Sequence, residues 1–120
     1  MVGRVYSRLE MLFAEFYGTP SLFADVRSAL EQQIAAVFKA SVDDVVIRRI
    51  EAESDYSGTE IWIELSSDEQ LARYGGELAR RVTSVIRRHA EMDVWVLFRV
   101  VPLAHVYLNG EPRTRGLASQ

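Results

Sequence analysis

Few residues in this sequence have the type and spacing to do chemistry. Arg48, Arg49 and Arg99 fall inside apolar runs, 45–52 and 93–101, that read as β-strands. A guanidinium buried on a strand must meet a carboxylate or an anionic ligand, because an unpaired charge in an apolar setting is costly. Two chemistries fit that requirement. One is ion pairing across strands or subunits, with Glu60 and Glu64 of a neighbouring strand as partners. The other is a pocket for a small carboxylated molecule, held by charge-assisted hydrogen bonds. His105, close to Tyr107 on a short apolar stretch, offers an imidazole suited to acid–base work in a cleft.

Composition removes most other chemistries. There is no cysteine, hence no thiol nucleophile, disulfide or cysteine metal site. The only two histidines, His89 and His105, are far apart and lie in neither H-x-H nor HExxH spacing, so no metal centre is predicted. Gly75-Gly76 lacks the spacing of a phosphate loop and no serine sits in a nucleophile elbow, so no cofactor is predicted. A net charge of -3 and a pI near 5.4 argue against nucleic acid or an anionic membrane as partner. No run approaches the roughly 18 apolar residues of a membrane span. Glu10 and Glu15 interrupt the N-terminal apolar run, unlike a secretory signal. The expected location is therefore the cytoplasm.

Periodicity supplies the elements that must position these residues. The 120 residues, 48% apolar and 26% charged, fit one domain, with a core at about 10–110, an extension at 1–8 and a loose polar tail at 113–120. Residues 11–17 (MLFAEFY) predict a strand stopped by Gly18-Thr19-Pro20. Residues 21–40 carry Leu22, Val26, Leu30, Ile34 and Val37 at helical spacing, with Lys39 as a cation near the negative end. Residues 45–52 predict a second strand. Residues 59–65 (TEIWIEL) alternate, sending Ile61, Ile63 and Leu65 one way and Glu60, Trp62 and Glu64 the other. Ser67 and Gln70 fit a capping box that opens a second helix. Gly75 and Gly76 inside that helix imply close approach to the sheet. Residues 93–101 predict a fourth strand, apolar on both faces and hence covered on both. Pro102 ends it, residues 104–108 predict a short fifth strand, and Asn109-Gly110 predicts a turn.

The fold class is α+β. Two βαβ halves form a four-stranded sheet, and right-handed crossovers put both helices on one face, with a short C-terminal strand added. The other face would carry Trp62, Trp95 and further apolar side chains, which calls for a partner. Self-association follows from this alone.

Residues 30–50 (LEQQIAAVFKASVDDVVIRRI), 61–89 (IWIELSSDEQLARYGGELARRVTSVIRRH) and 94–109 (VWVLFRVVPLAHVYLN), with the closing YLNGE, resemble the tautomerase and macrophage migration inhibitory factor superfamily. They look like an uncharacterised bacterial branch of it. The likeness covers about residues 10–112. It implies a homotrimer whose sheets line a central barrel, the terminal short strand extending a neighbour's sheet, and a pocket at a subunit interface near the start of the first strand. It also implies ligand contacts for Lys39 and Asn109, and it sets Phe98 where the family often has a tyrosine. The family's general base is an N-terminal proline, a secondary amine whose pKa an apolar pocket lowers. Its place falls near Leu9, where this sequence has no proline and where about eight residues precede. The expectation is a tautomerase-like protein without proline chemistry. An isomerase acting on keto–enol acids, with Arg48, Arg49, Arg99 and His105 in place of proline, is the second reading. A ferredoxin-like dimeric binding module, which shares the βαββαβ order, is the third.

Overall fold

The structure is a computed structural model, and it describes residues 11–113. The extension at 1–8, the position of Leu9 and the tail beyond Arg113 lie outside the described residues.

The first half runs β1 (Leu12–Tyr17), α1 (Pro20–Phe38), a 3-10 turn (Val42–Asp44) and β2 (Val45–Arg49). Thr19 starts α1: its Oγ1 accepts the Leu22 N–H at 3.2 Å, and Pro20, whose missing N–H costs nothing there, takes the first turn. Lys39 ends it in the left-handed conformation, φ 55°, so that its N–H donates to the Ala36 carbonyl and the Ala40 N–H to that of Ala35. This is a Schellman closure made without glycine. The second half runs β3 (Thr59–Leu65), α2 (Asp68–Arg87) and β4 (Val94–Val100). Ser67 Oγ accepts the Gln70 N–H at 3.1 Å, and Gln70 Oε1 reaches back to the Ser66 N–H at 2.8 Å. Asp68 and Glu69 add negative charge at the positive helix end.

The sheet order is β2-β1-β3-β4. β1 and β2 are parallel, β3 and β4 are parallel, and β1 meets β3 antiparallel. The strands of each βαβ unit thus lie side by side, not split by a strand of the other unit as in a ferredoxin-like sheet. Both helices cover one face. Phe16, Ile61 and Ile63 from the sheet meet Leu30, Ile34, Leu78 and Ile86 from the helices, all essentially out of solvent. Gly75 is buried where α2 crosses β4; a methyl group there would lie 3.0 Å from Leu71 Cδ1 and 3.6 Å from the Phe98 ring. Gly76, in contrast, faces only the flexible Arg80 side chain.

Three sequence expectations change. The second strand stops at Arg49 instead of Ala52, although the Ile50 N–H still bonds the Phe16 carbonyl. Residues 104–108 are not one strand: Leu103–His105 is a 3-10 turn, with the His105 N–H on the Pro102 carbonyl. Only Tyr107–Leu108 (β5) is extended, and it pairs with Glu111–Pro112 (β6) across a two-residue turn. Asn109 (φ 54°) and Gly110 (φ 83°) both have the positive φ that this tight hairpin requires. The third change concerns Arg113. It is no part of a loose tail: its N–H donates to the Val106 carbonyl at 2.8 Å and its side chain is 6% exposed.

Candidate functional site: the open sheet face and a cavity at the head of β1

Strand alternation decides which arginines meet. Glu15 sits opposite Arg48 and Trp62, Trp62 opposite Leu97, and Glu64 opposite Arg99, so all point away from the helices. Arg49 is opposite Phe16 and therefore belongs to the other face. Its guanidinium donates to the Gly18 carbonyl at 3.1 Å and to the Glu51 carboxylate.

On the open face Arg99 is the hub. Its guanidinium lies 4.6 Å from the centre of the Trp62 ring, with Nη1 3.5 Å from Glu15 Oε1 and 3.7 Å from Glu64 Oε2. Arg48 lies 5.8 Å over Phe13. These groups border a shallow cavity of about 210 Å³. Glu64 is thus the cross-strand partner expected from sequence. Glu60 is not; it accepts the Trp62 indole N–H at 3.2 Å, and Glu15 takes its place beside Arg99. Tyr17 donates to Glu15 at 3.1 Å. Partial burial first, and then this bond and the Glu15 charge, push the Tyr17 phenol above its usual pKa, against an opposing pull from Arg99.

The open face is consequently not the continuous apolar surface that its tryptophans suggested. β4 contributes Trp95, Leu97 and Arg99 to it, and every second open-face position of β1 and β3 near them is charged. Trp95, 56% exposed, donates its indole N–H to the Tyr56 hydroxyl at 2.7 Å.

The other sequence candidates lie apart. Lys39 is exposed and closes α1. Asn109 is exposed at the hairpin tip. His105 is exposed on the 3-10 turn, and Tyr107 is 64% exposed on β5. None of the four borders either cavity. Among the described residues no group of three or more His, Asp or Glu is placed to hold a metal ion.

A larger cavity, about 360 Å³, opens at the head of β1. Its apolar wall includes Leu12, Leu65, Val101 and Leu103, together with Phe38 and Tyr74, whose rings are 4.8 Å apart. Ser66, Gln70, Glu64 and the buried Arg113 are its polar members. Arg113 was missed by sequence reasoning. The signal was present: an Asn-Gly turn after an apolar stretch folds the chain back, carrying Glu111, Pro112 and Arg113 towards the domain.

A mixed four-stranded sheet of two βαβ units, with both helices on one face and a cavity where the first strand begins, is the fold of the tautomerase and macrophage migration inhibitory factor superfamily. Solved structures share this fold. A protein of unknown function from Vibrio cholerae O1 aligns over 89% of both chains at 13% identity, with a TM-score of 0.74. A macrophage migration inhibitory factor-like protein from Entamoeba histolytica aligns over 85% of this chain and 98% of its own at 10% identity, TM-score 0.68. A fused 4-OT, described as a symmetric trimer, aligns over 87% and 96% at 14% identity, TM-score 0.63. No family model and no curated protein matches the sequence. No helix among the described residues is long and apolar enough to cross a membrane.

Proposed function

We propose that this protein is a self-associating, homotrimeric binding protein of tautomerase-like fold, which takes up a small carboxylated molecule without proline-based catalysis. The observation that carries this reading is the cavity at the head of β1: it has an apolar wall and a buried arginine, and no proline borders it. The chain's three prolines, Pro20, Pro102 and Pro112, cap a helix, end a strand and sit in the hairpin. None can supply a secondary amine there.

Assembly is supported by the open face, where half-exposed Phe13, Trp62 and Leu97 surround Arg99, whose one guanidinium faces both Glu15 and Glu64. Covering such a face takes exposed apolar area out of water and leaves Arg99 opposed by carboxylate. A trimeric neighbour in fold, the fused 4-OT, favours three copies. The acidic net charge favours a role without nucleic-acid or anionic-membrane partners, and a cytoplasmic location is part of the proposal.

The test is a titration with phenylpyruvate and with 2-hydroxymuconate, following both melting temperature and keto–enol conversion. The expected result is a raised melting temperature with at least one acid and no turnover. Robust turnover, or unchanged melting with every acid, overturns the reading.

A further inference from the structure

The outward face of α2 has a composition that the domain itself does not account for. Arg73, Arg80 and Arg87 are exposed and follow one another at seven-residue steps. Seven residues make nearly two turns, so the three stand in a line about 10.5 Å apart, drifting by about 20° per step. Arg88 is exposed at the end of the line. None of the four has an ion pair among the described residues. Glu77, the carboxylate of α2 beyond its first turn, is taken by Arg81 at 2.7 Å, and Arg81 also bonds Gln33 of α1 at 3.1 Å. The negative helix end suits Arg87 and Arg88. It gives no reason for Arg73 and Arg80.

Gly76 lies between these two on the same face, three residues after Arg73 and four before Arg80. Glycine weakens a helix interior relative to alanine. At Gly75 the neighbouring Leu71 and Phe98 side chains explain the missing side chain; at Gly76 a methyl group would meet only the tip of Arg80, with Nη1 at 3.4 Å. The gap is therefore on the outside, where a partner's backbone is what can use it.

We propose that this face of α2 docks an acidic α-helix of another protein, its backbone lying close over Gly76 and its carboxylates meeting Arg73, Arg80 and Arg87. Charge complementarity fixes the sign of the partner. A helix laid along α2 presents side chains at the same seven-residue interval, and a small residue at the crossing lets the two backbones approach. The face has no large exposed apolar side chain with which to enter a bilayer. The chain's net charge of -3 opposes the approach of a long polyanion such as a nucleic acid. Covering the open sheet face leaves this helix face outward, so self-association and docking do not compete.

Fluorescence anisotropy of the full chain with two labelled helical peptides, each about six turns long, tests it. Both carry three glutamates among alanines and glutamines. In the first the glutamates stand seven residues apart on one face; in the second they stand five apart and so point around the helix. At low salt the first should bind on the order of 10-fold more tightly, the effect of two or three ion pairs brought into register. Added salt should weaken it. Arg73→Gln/Arg80→Gln should bring the first peptide down to the level of the second. Gly76→Leu should raise Tm, because leucine is the better helix former, and yet weaken the first peptide on the order of 10-fold. A glycine with a merely structural role would not give those two effects together. Equal binding of the two peptides, no binding of the first, or binding that the double variant leaves unchanged overturns the proposal. Tighter binding of single-stranded RNA or of phosphatidylserine vesicles than of the first peptide overturns the acidic-helix partner. Parent-level binding by Gly76→Leu refutes the close approach.

Discussion

Replacing Arg99 by methionine separates two states of the open face by magnitude. The substitution keeps much of the apolar stem over Trp62 and deletes the guanidinium that stands 3.5 Å from Glu15 and 3.7 Å from Glu64. The side chains of Arg99, Glu15 and Glu64 are 41%, 27% and 35% exposed in the single chain, so solvent screens these pairs. Exposed ion pairs contribute about 0.2–1 kcal/mol each and an exposed cation–π contact about 0.5–1 kcal/mol. A wetted face therefore loses about 1–3 kcal/mol in total, roughly 3–18 °C in Tm for a domain of this size. A face covered by other copies leaves two carboxylates dry and unopposed, and the loss rises to about 3–5 kcal/mol. Urea denaturation of Arg99→Met at fixed protein concentration, in low salt and in 1 M salt, reads the difference. A loss of the smaller size that salt shrinks marks a wetted face; a larger, salt-insensitive loss marks a covered one. The double variant Glu15→Gln/Glu64→Gln should recover most of the loss in the Arg99→Met background. A neutral or stabilising Arg99→Met, or no recovery, refutes the charge network.

Lys39→Gly should stabilise the protein by about 0.5–1 kcal/mol in thermal or urea melts, since φ 55° strains a residue with a Cβ and costs glycine little. Gly75→Leu should destabilise by about 1–3 kcal/mol, because even a Cβ there lies 3.0 Å from Leu71 and 3.6 Å from Phe98, and a larger group must push α2 off β4. The raised Tyr17 pKa gives a pH signature. The folded state keeps the phenolic proton longer than the unfolded chain, whose tyrosine titrates near 10.0, so stability held below that pH is lost as pH rises through the folded value. Stability above pH 10 should fall less steeply in Tyr17→Phe than in the parent chain, measured by urea midpoints from pH 8 to 11.

The local elements were legible because each carries its own signal. Alternation in TEIWIEL, helical spacing from Leu22 to Val37 and the Ser67–Gln70 cap placed β3, α1 and α2 within a few residues. Two βαβ units also implied helices on one face, through the handedness of the crossover. The site was less legible, because strand register is not written in any one segment. Arg48 and Arg49 are adjacent in sequence and on opposite faces in space, and Glu15 reaches Arg99 from 84 residues away. Arg113 was hidden by a different cause. Its neighbourhood is polar and glycine-containing, which reads as tail, while the β5–β6 hairpin that buries it is only two residues per strand.

Assembly through the open face is the central claim, and light scattering on the purified chain tests it most directly. The account predicts a single species of three times the 13.6 kDa chain mass, stable on dilution and broken towards smaller species by Trp62→Glu. A lone 13.6 kDa protomer that folds and stays soluble at every concentration would contradict it.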